Sequence, residues 1–450
     1  MSNKKKSTPA RQPSGPIHYA NDGPQNLSSQ AGIIPVIKFL ENLGFWELFN
    51  RTVHHERSPG VEYQLYDMVF LILIGHIAGG TSITQCLVVW ADHVLQRVAG
   101  WIRIPHDSTV GRIFKELKER HINELETLIH RMRERVWARA LRAGRLSIAP
   151  QLIRWIDMDS FVKTTFGHQE GAEIGFNPHK RGAPSYHPLL AFLPQTKEIL
   201  QAWFRTGSAY TSNGVVEFVK QLISFLPNHR LIFRADSGFF VGALMDLLDE
   251  YGHGYLIKVK LKNLKRLLLK QYWSPVPGQP EWEQCEFYYQ AEGWETKRLF
   301  VAVRHRIETA GDTAQGELFE PEPTYEFFCY VCTESMSPWL THKTYGKRAT
   351  SETWIEESKS QMGLGHILTH EFLANAALFQ TAVLAYNTLR WMALLSFNSD
   401  LQRWEPRTIR TFLIRVAGKL LTAGGQLTIK FSSGHLYQRI WDDWLALGIP

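Results

Sequence analysis

From Ile33 to about Gly144 the apolar positions recur every three to four residues. Val36, Phe39, Leu40 and Leu43 mark one stripe, and Leu117, Ile122, Leu125, Leu128 and Ile129 mark another, so this stretch is predicted to be all helical. Within it, Asp107 or Ser108 stands where it would cap a helix that carries Arg112 and Lys115 outward. Near residue 152 the period changes. Residues 152–159, 189–193 and 199–204 read as short strands and 215–226 as an amphipathic helix. Residues 231–235 form a further strand, the next segment carries Phe240, Ala243, Leu244, Leu247, Leu248 and Tyr251 at helical spacing, and 255–259 is a strand again. That order predicts a mixed α/β sheet covered by helices. Between 272 and 338 apolar residues alternate with polar ones, which predicts a separate β-rich insertion. Helical texture returns over 350–396, and the last 50 residues read as further helices.

Composition narrows the class. With 450 residues, 44% hydrophobic and 21% charged, the chain is expected to fold into two or three domains and is excluded from the disordered, collagen-like and coiled-coil classes. Residues 1–30, rich in Ser, Pro, Asn, Gln and Lys, read as a flexible basic tail. No apolar run follows Lys4, Lys5 and Lys6, so a secretion signal is not expected. The apolar stretch 68–80 is too short to span a membrane, and 372–389 carries Asn375, Gln380 and Asn387, so both are read as buried core helices. Four cysteines cannot staple a chain of this length, which favours a reducing, cytoplasmic setting; Cys329 and Cys332 lack a second pair at zinc-site spacing and are read as structural. Fifty Lys and Arg against 43 Asp and Glu leave a net charge of +7, a mild preference for polyanions. Two basic clusters stand out. Arg131, Arg133, Arg135, Arg139, Arg142 and Arg145 suit either a solvated helix face or DNA backbone contacts, and Lys258, Lys260, Lys262, Lys265, Arg266 and Lys270 are expected to lie along DNA phosphates.

Acidic residues at the ends of two strands, joined by a third on a later helix, make an arrangement that can hold two divalent metals beside a phosphodiester. Asp157 and Asp159 stand two apart on one strand, so both point to one face and either is a ligand candidate. Asp236 ends another strand and is followed closely by Gly238, as at a strand-to-helix turn near a ligand. Farther on, Arg348, Glu352 and Lys359 fall on one helical stripe if a single helix includes all three, and Glu356 is the reserve carboxylate there.

Together these residues resemble a known family. Tyr345, two residues, Arg348, three residues, Glu352, six residues and Lys359 match the Tyr-Arg-Glu-Lys signature of bacterial insertion-sequence transposases of the DDE class. Asp159-Ser, Gly167-His-Gln-Glu-Gly-Ala, Gly175-Phe-Asn-Pro, Ser185-Tyr-His-Pro-Leu-Leu-Ala-Phe and Arg234-Ala-Asp-Ser-Gly-Phe-Phe are similar to one branch of them, as are Phe372-Leu-Ala-Asn-Ala and Ala385-Tyr-Asn. Phe161 is a departure, since relatives often carry Thr there. The resemblance implies an α/β ribonuclease-H-like core over 151–271 and 339–396, interrupted by the insertion at 272–338. It also implies a helical DNA-binding domain at 31–150 and leaves 397–450 as a C-terminal helical region. By the same resemblance, Asp159, Asp236 and Glu352 are the catalytic metal ligands for two Mg²⁺, with Mn²⁺ as a substitute, and Tyr345, Arg348 and Lys359 contact the DNA strand. The implied activity is cleavage at the element ends and transfer of the 3′-hydroxyls to target DNA. The implied partners are terminal inverted repeats, target DNA and a second protomer, in a bacterial cytoplasm. Trp273, Trp282 and Trp294 of the insertion are read as core or surface residues, with base stacking as the alternative. A catalytically dead repressor and a nuclease without strand transfer are the competing functions.

Overall fold

The computed structural model describes residues 26–57, 60–146, 154–178, 180–307 and 324–449. Most of the tail and the first two residues of the strand expected at 152 lie outside the described residues.

Helices fill the N-terminal region, and two of the longest helices in the chain form the core. α1 (Leu65–Ala78) is buried from Met68 to Ala78. α2 (Glu119–Arg142) packs one face inward. The helix at Asp107–Lys115 is capped by the His106 ring rather than by Asp107 or Ser108, and Lys115 pairs with Glu371 at 2.7 Å. Nine strands then build one mixed sheet: β1 (Arg154–Ser160), β2 (Leu189–Leu193), β3 (Glu198–Trp203), β4 (Leu231–Ala235), β5 (Gly254–Lys258), β6 (Ser274–Val276), β7 (Gln279–Tyr289), β8 (Arg298–Ile307) and β9 (Thr324–Cys332). Their spatial order is β6-β7-β8-β9-β5-β4-β1-β2-β3. β1, β2 and β3 form an antiparallel meander, whereas β1, β4 and β5 run parallel through helical crossovers. Three later helices matter for the site: α3 (Pro338–Gly346), α4 (Ala349–Gln361) and α5 (Phe372–Leu395).

The β-rich segment is not separate. β9 pairs antiparallel with β5 through Tyr330 and Lys258, Val331 and Ile257, and Cys332 and Leu256, so the segment extends the sheet. The open backbone edge of β5 is thereby satisfied. The C-terminal stretch also differs from an all-helical reading: Gly418–Ala423 and Gln426–Phe431 form a hairpin joined by Gly424 and Gly425. Both glycines have positive φ, 56° and 77°, where glycine alone is free of strain.

α5 is buried from Ala374 to Leu394, amides included. Two of those amides, Gln380 and Asn387, complete the edge strand β3. Asn387 accepts from Ile199 N at 2.8 Å and donates to Ile199 O at 2.8 Å, while Gln380 donates to Ala202 O at 2.7 Å, so each polar group that an apolar helix would exclude answers a backbone group that would otherwise be orphaned. Among the described residues, no single helix is long and apolar enough to cross a membrane.

The arginine cluster on α2 is largely committed to the protein. Buried Arg133 binds Glu198 at 3.0 Å and the carbonyls of Ile199 and Leu200 at 2.8 Å. Arg135 donates to Leu43 O, Arg139 to Asn42 O and Arg131 to Thr52, and Arg145 lies over the Phe397 ring. Arg131 and Arg142 are exposed, and either reading of the run stays open for them. The four cysteines are free and buried, and burial pushes the thiols up, to about 12 for Cys285 and about 11 for Cys332. Such thiols are inert, as a structural role requires.

Glu126 on α2 is buried and accepts from Gln221 and Gln380, each at 3.1 Å. Burial pushes its carboxyl up to about 7, against the Gln221 hydrogen bond. The folded chain therefore holds a proton that the unfolded chain loses near its ordinary value, and stability falls as pH rises from the ordinary carboxylate range through about 7, then levels. Glu126→Gln should remove that fall, which amounts to at most about 3 kcal/mol. Urea unfolding at about pH 5 and about pH 8 checks it: an unchanged pH dependence in the variant would remove Glu126 as its source.

Candidate active site

The parallel register of β1 and β4 sets Met158 beside Ala235, so the next residues, Asp159 and Asp236, leave neighbouring strand ends together. β1 and β4 are buried along most of their length, and Asp159 and Asp236 fall where burial lessens at their ends. Asp159 Oδ1 accepts from Ser160 N at 2.8 Å. Asp236 Oδ1 accepts from Gly238 N at 2.9 Å and caps the turn Ser237–Phe239. A Cβ on Gly238 would lie 3.1 Å from that oxygen and from Thr211, a tight contact that the glycine avoids.

Asp157 and Asp159 separate in role. Asp157 is fully buried and held by both arms of Arg234, at 2.6 and 2.7 Å. Arg234 also donates to Thr344 O, so one side chain of β4 ties β1 to α3. Every oxygen of Asp157 is thus taken by protein.

Arg348, Glu352 and Lys359 approach from α4. Arg348 precedes its first turn, while Tyr345 belongs to α3, so the signature spans two helices with a break at Lys347 and Arg348. Arg348 Nη2 meets Asp159 Oδ2 at 2.6 Å, and Nη1 meets Glu352 Oε1 at 3.2 Å. One guanidinium therefore bridges the strand carboxylate to the helix carboxylate. Lys359 pairs with Glu356 at 3.1 Å and lies 5.5 Å from the Phe161 ring, so the reserve carboxylate is occupied by its own neighbour. Tyr345 packs at a tilt against Tyr330, ring centroids 4.5 Å apart, and burial pushes its hydroxyl up to about 12.

Burial pushes the Asp159 carboxyl up, to about 6, and Asp236 and Glu352 push the same way against the opposing charge of Arg348. Burial opposes the Arg348 charge in turn, but the carboxylates outweigh it and hold its pKa above the ordinary value.

His187 joins the site although its sequence position signalled only a motif without a role. It is 2% exposed, and its Nδ1 lies 2.6 Å from Ala209 O, which fixes the proton on that nitrogen. Burial lowers its pKa, so the ring is neutral and Nε2 accepts from Ser160 Oγ at 3.0 Å. Ser160 Oγ also lies 3.2 Å from Thr211, which packs over the Asp236 turn. The end of β1 is thereby held by a hydrogen-bond chain whose last member, Thr211, packs against the turn after β4.

The insertion tryptophans pack against protein. Trp273 donates to Leu268 O at 3.0 Å and receives Arg304, Trp282 packs with Trp339 and His342, and Trp294 lies beside Phe240 and Phe300. Lys258, Lys260, Lys262, Lys265, Arg266 and Lys270 are all exposed.

Three carboxylates with no sulfur or nitrogen donor make a set whose chemistry suits Mg²⁺. Its spatial arrangement suits an arginine instead: among the described residues no three His, Cys, Asp or Glu side chains converge to hold a metal ion, and the Arg348 guanidinium lies between Asp159 and Glu352.

No curated protein matches the chain. Among solved structures it is similar to one chain of the piggyBac transposase synaptic complex with hairpin DNA, at 11% identity and a TM-score of 0.35, over 82% of this chain and 81% of that one. The family described as Transposase DDE domain group 1 matches residues 12–447. Since that match runs through the helical region, both aspartate strands and the Arg348–Glu352 helix, the chain belongs to the DDE transposase family.

Proposed function

We propose that the protein is the DNA transposase of an insertion sequence: it binds terminal inverted repeats, cleaves at the element ends and transfers the 3′-hydroxyls to target DNA. The observation that supports this most is the pairing of Asp159 and Asp236 on adjacent parallel strand ends with Arg348 and Glu352 brought against them from α4. A ribonuclease-H-like core is the reading favoured by the order β3-β2-β1-β4-β5, three antiparallel strands followed by two parallel ones.

In this proposal Asp159, Asp236 and Glu352 hold Mg²⁺, or Mn²⁺ in its place. When bound, such ions activate a hydroxyl nucleophile and stabilise the leaving oxygen of a phosphodiester. The chain's own residues do the rest. His187 and Thr211 steady Ser160 at the end of β1, and Arg234 ties β4 to α3, which carries Tyr345. Tyr345, Arg348 and Lys359 engage the DNA strand, and the exposed lysines that follow β5 neutralise its phosphates. The helical region at 31–150 binds the inverted repeats, and pairing two ends takes two protomers.

The test is purified full-length protein with Mg²⁺ on linear DNA carrying the element's own ends, scored for cleavage and for joining. Metal-dependent joining is expected. Cleavage without joining would replace the proposal with a nuclease, and specific end binding with neither product would replace it with a repressor.

A further inference from the structure

Two arginines meet the carboxylates of β1, and they are held very differently. Arg234 grips a single carboxylate through Nε and Nη2, gives Nη1 to Thr344 O, and so satisfies all three nitrogens inside the core. Arg348 spreads Nη1 and Nη2 over two carboxylates of different elements, and its Nε is buried with no partner among the described residues. One of those two carboxylates, Glu352, is 65% exposed. A guanidinium recognises phosphate or carboxylate best with two parallel N–H groups on one anion, a geometry Arg348 does not achieve here. Arg348 is therefore the exchangeable arginine of the pair.

A divalent cation and a guanidinium repel each other, and both would be drawn to the carboxylates of Asp159 and Glu352. We propose that Arg348 is the internal counter-cation of the DNA-free site: while it bridges Asp159 and Glu352 those carboxylates do not take a divalent ion, and a DNA phosphate that draws the guanidinium away frees them, so DNA and metal bind with positive linkage. This rests on the reading of Asp159, Asp236 and Glu352 as metal ligands. It explains why the hard-oxygen donors are present while their arrangement fits an arginine. Linkage is reciprocal, so metal must tighten DNA binding by the factor by which DNA tightens metal binding. Metal-dependent strand chemistry would then be silent until an end is engaged.

The measurement is Mn²⁺ binding by electron paramagnetic resonance, counting free ion, on full-length wild-type protein, Arg348→Gln, and Arg348→Gln combined with Asp236→Asn. Each is measured alone and with a short duplex copied from one element end, after subtracting ion bound by the duplex. Without DNA, Arg348→Gln is expected to bind Mn²⁺ about tenfold more tightly than wild type, within the usual range of coupling between sites. The duplex should tighten wild type by a similar factor and leave Arg348→Gln unchanged, and Asp236→Asn should abolish the gain. Equal DNA-free affinity of wild type and Arg348→Gln, with binding still lost on Asp236→Asn, would overturn the linkage and leave the metal-ligand reading standing. Mn²⁺ binding that ignores Asp236→Asn would overturn that reading, and the linkage with it. Should Arg348→Gln not fold, the wild-type comparison with and without duplex decides alone: no gain on adding DNA overturns the proposal.

Discussion

Asp236→Asn is expected to lower DNA cleavage by at least about 10²–10³-fold while end binding stays near wild type. The substitution isolates charge from structure. Asn keeps an oxygen at the position from which Asp236 accepts the Gly238 amide, so the turn that ends β4 survives. What disappears is one negative charge at a strand end where metal and phosphate chemistry would be concentrated. Glu352→Gln should behave in the same way, for a second reason: its side chain is 65% exposed, so stability should change by no more than about 0.5 kcal/mol. Cleavage and anisotropy measured on the same protein preparations check both. Cleavage retained by either variant would remove that carboxylate from the reacting centre.

Arg234→Met should cost about 3–5 kcal/mol of stability, because it leaves Asp157 buried and unpaired at 0% exposure. The loss has two further parts: Thr344 O gives up its donor, and β1 loses its tie to α3. Combining it with Asp157→Leu should recover much of the cost, since neither charge then remains to be paired. Arg234→Lys should not rescue, since a single ammonium cannot reach both oxygens of Asp157 and the Thr344 carbonyl. Urea midpoints for the two single variants and the double variant complete the cycle. A wild-type midpoint in Arg234→Met would show that the pair contributes nothing to stability.

These two expectations draw on parts of the chain that differ in how well they can be read beforehand. The strands β1, β4 and β5 were readable because short apolar stretches, Trp155-Ile156, Leu231-Ile232-Phe233 and Tyr255-Leu256-Ile257, lie between polar or glycine punctuation, and α1 and α5 because their apolar density exceeds what a half-exposed helix carries. Asp159, Asp236 and Glu352 were readable as a group only through their resemblance to a family signature; each alone is an ordinary turn or helix-surface residue. That Asp236 caps a turn is true at the same time. Period-two alternation put Asp157 and Asp159 on one face and could go no further, because the side chain that divides them, Arg234, comes from another strand.

Local sequence by itself determined which segments are helices and strands in the core, where polar residues end the strands, and which carboxylates and cations recur at signature spacing. These follow from periodicity, which reports the apolar face of a segment and needs no knowledge of its partner. Tertiary structure alone decided that the β-rich segment joins the main sheet and that Arg133 pairs with Glu198. It also decided that His187 steadies Ser160 and that Arg348 spans Asp159 and Glu352. A charged side chain takes whichever opposite charge the fold brings within about 4 Å, and that distance is set by the packing of segments remote in sequence, on which the local pattern is silent.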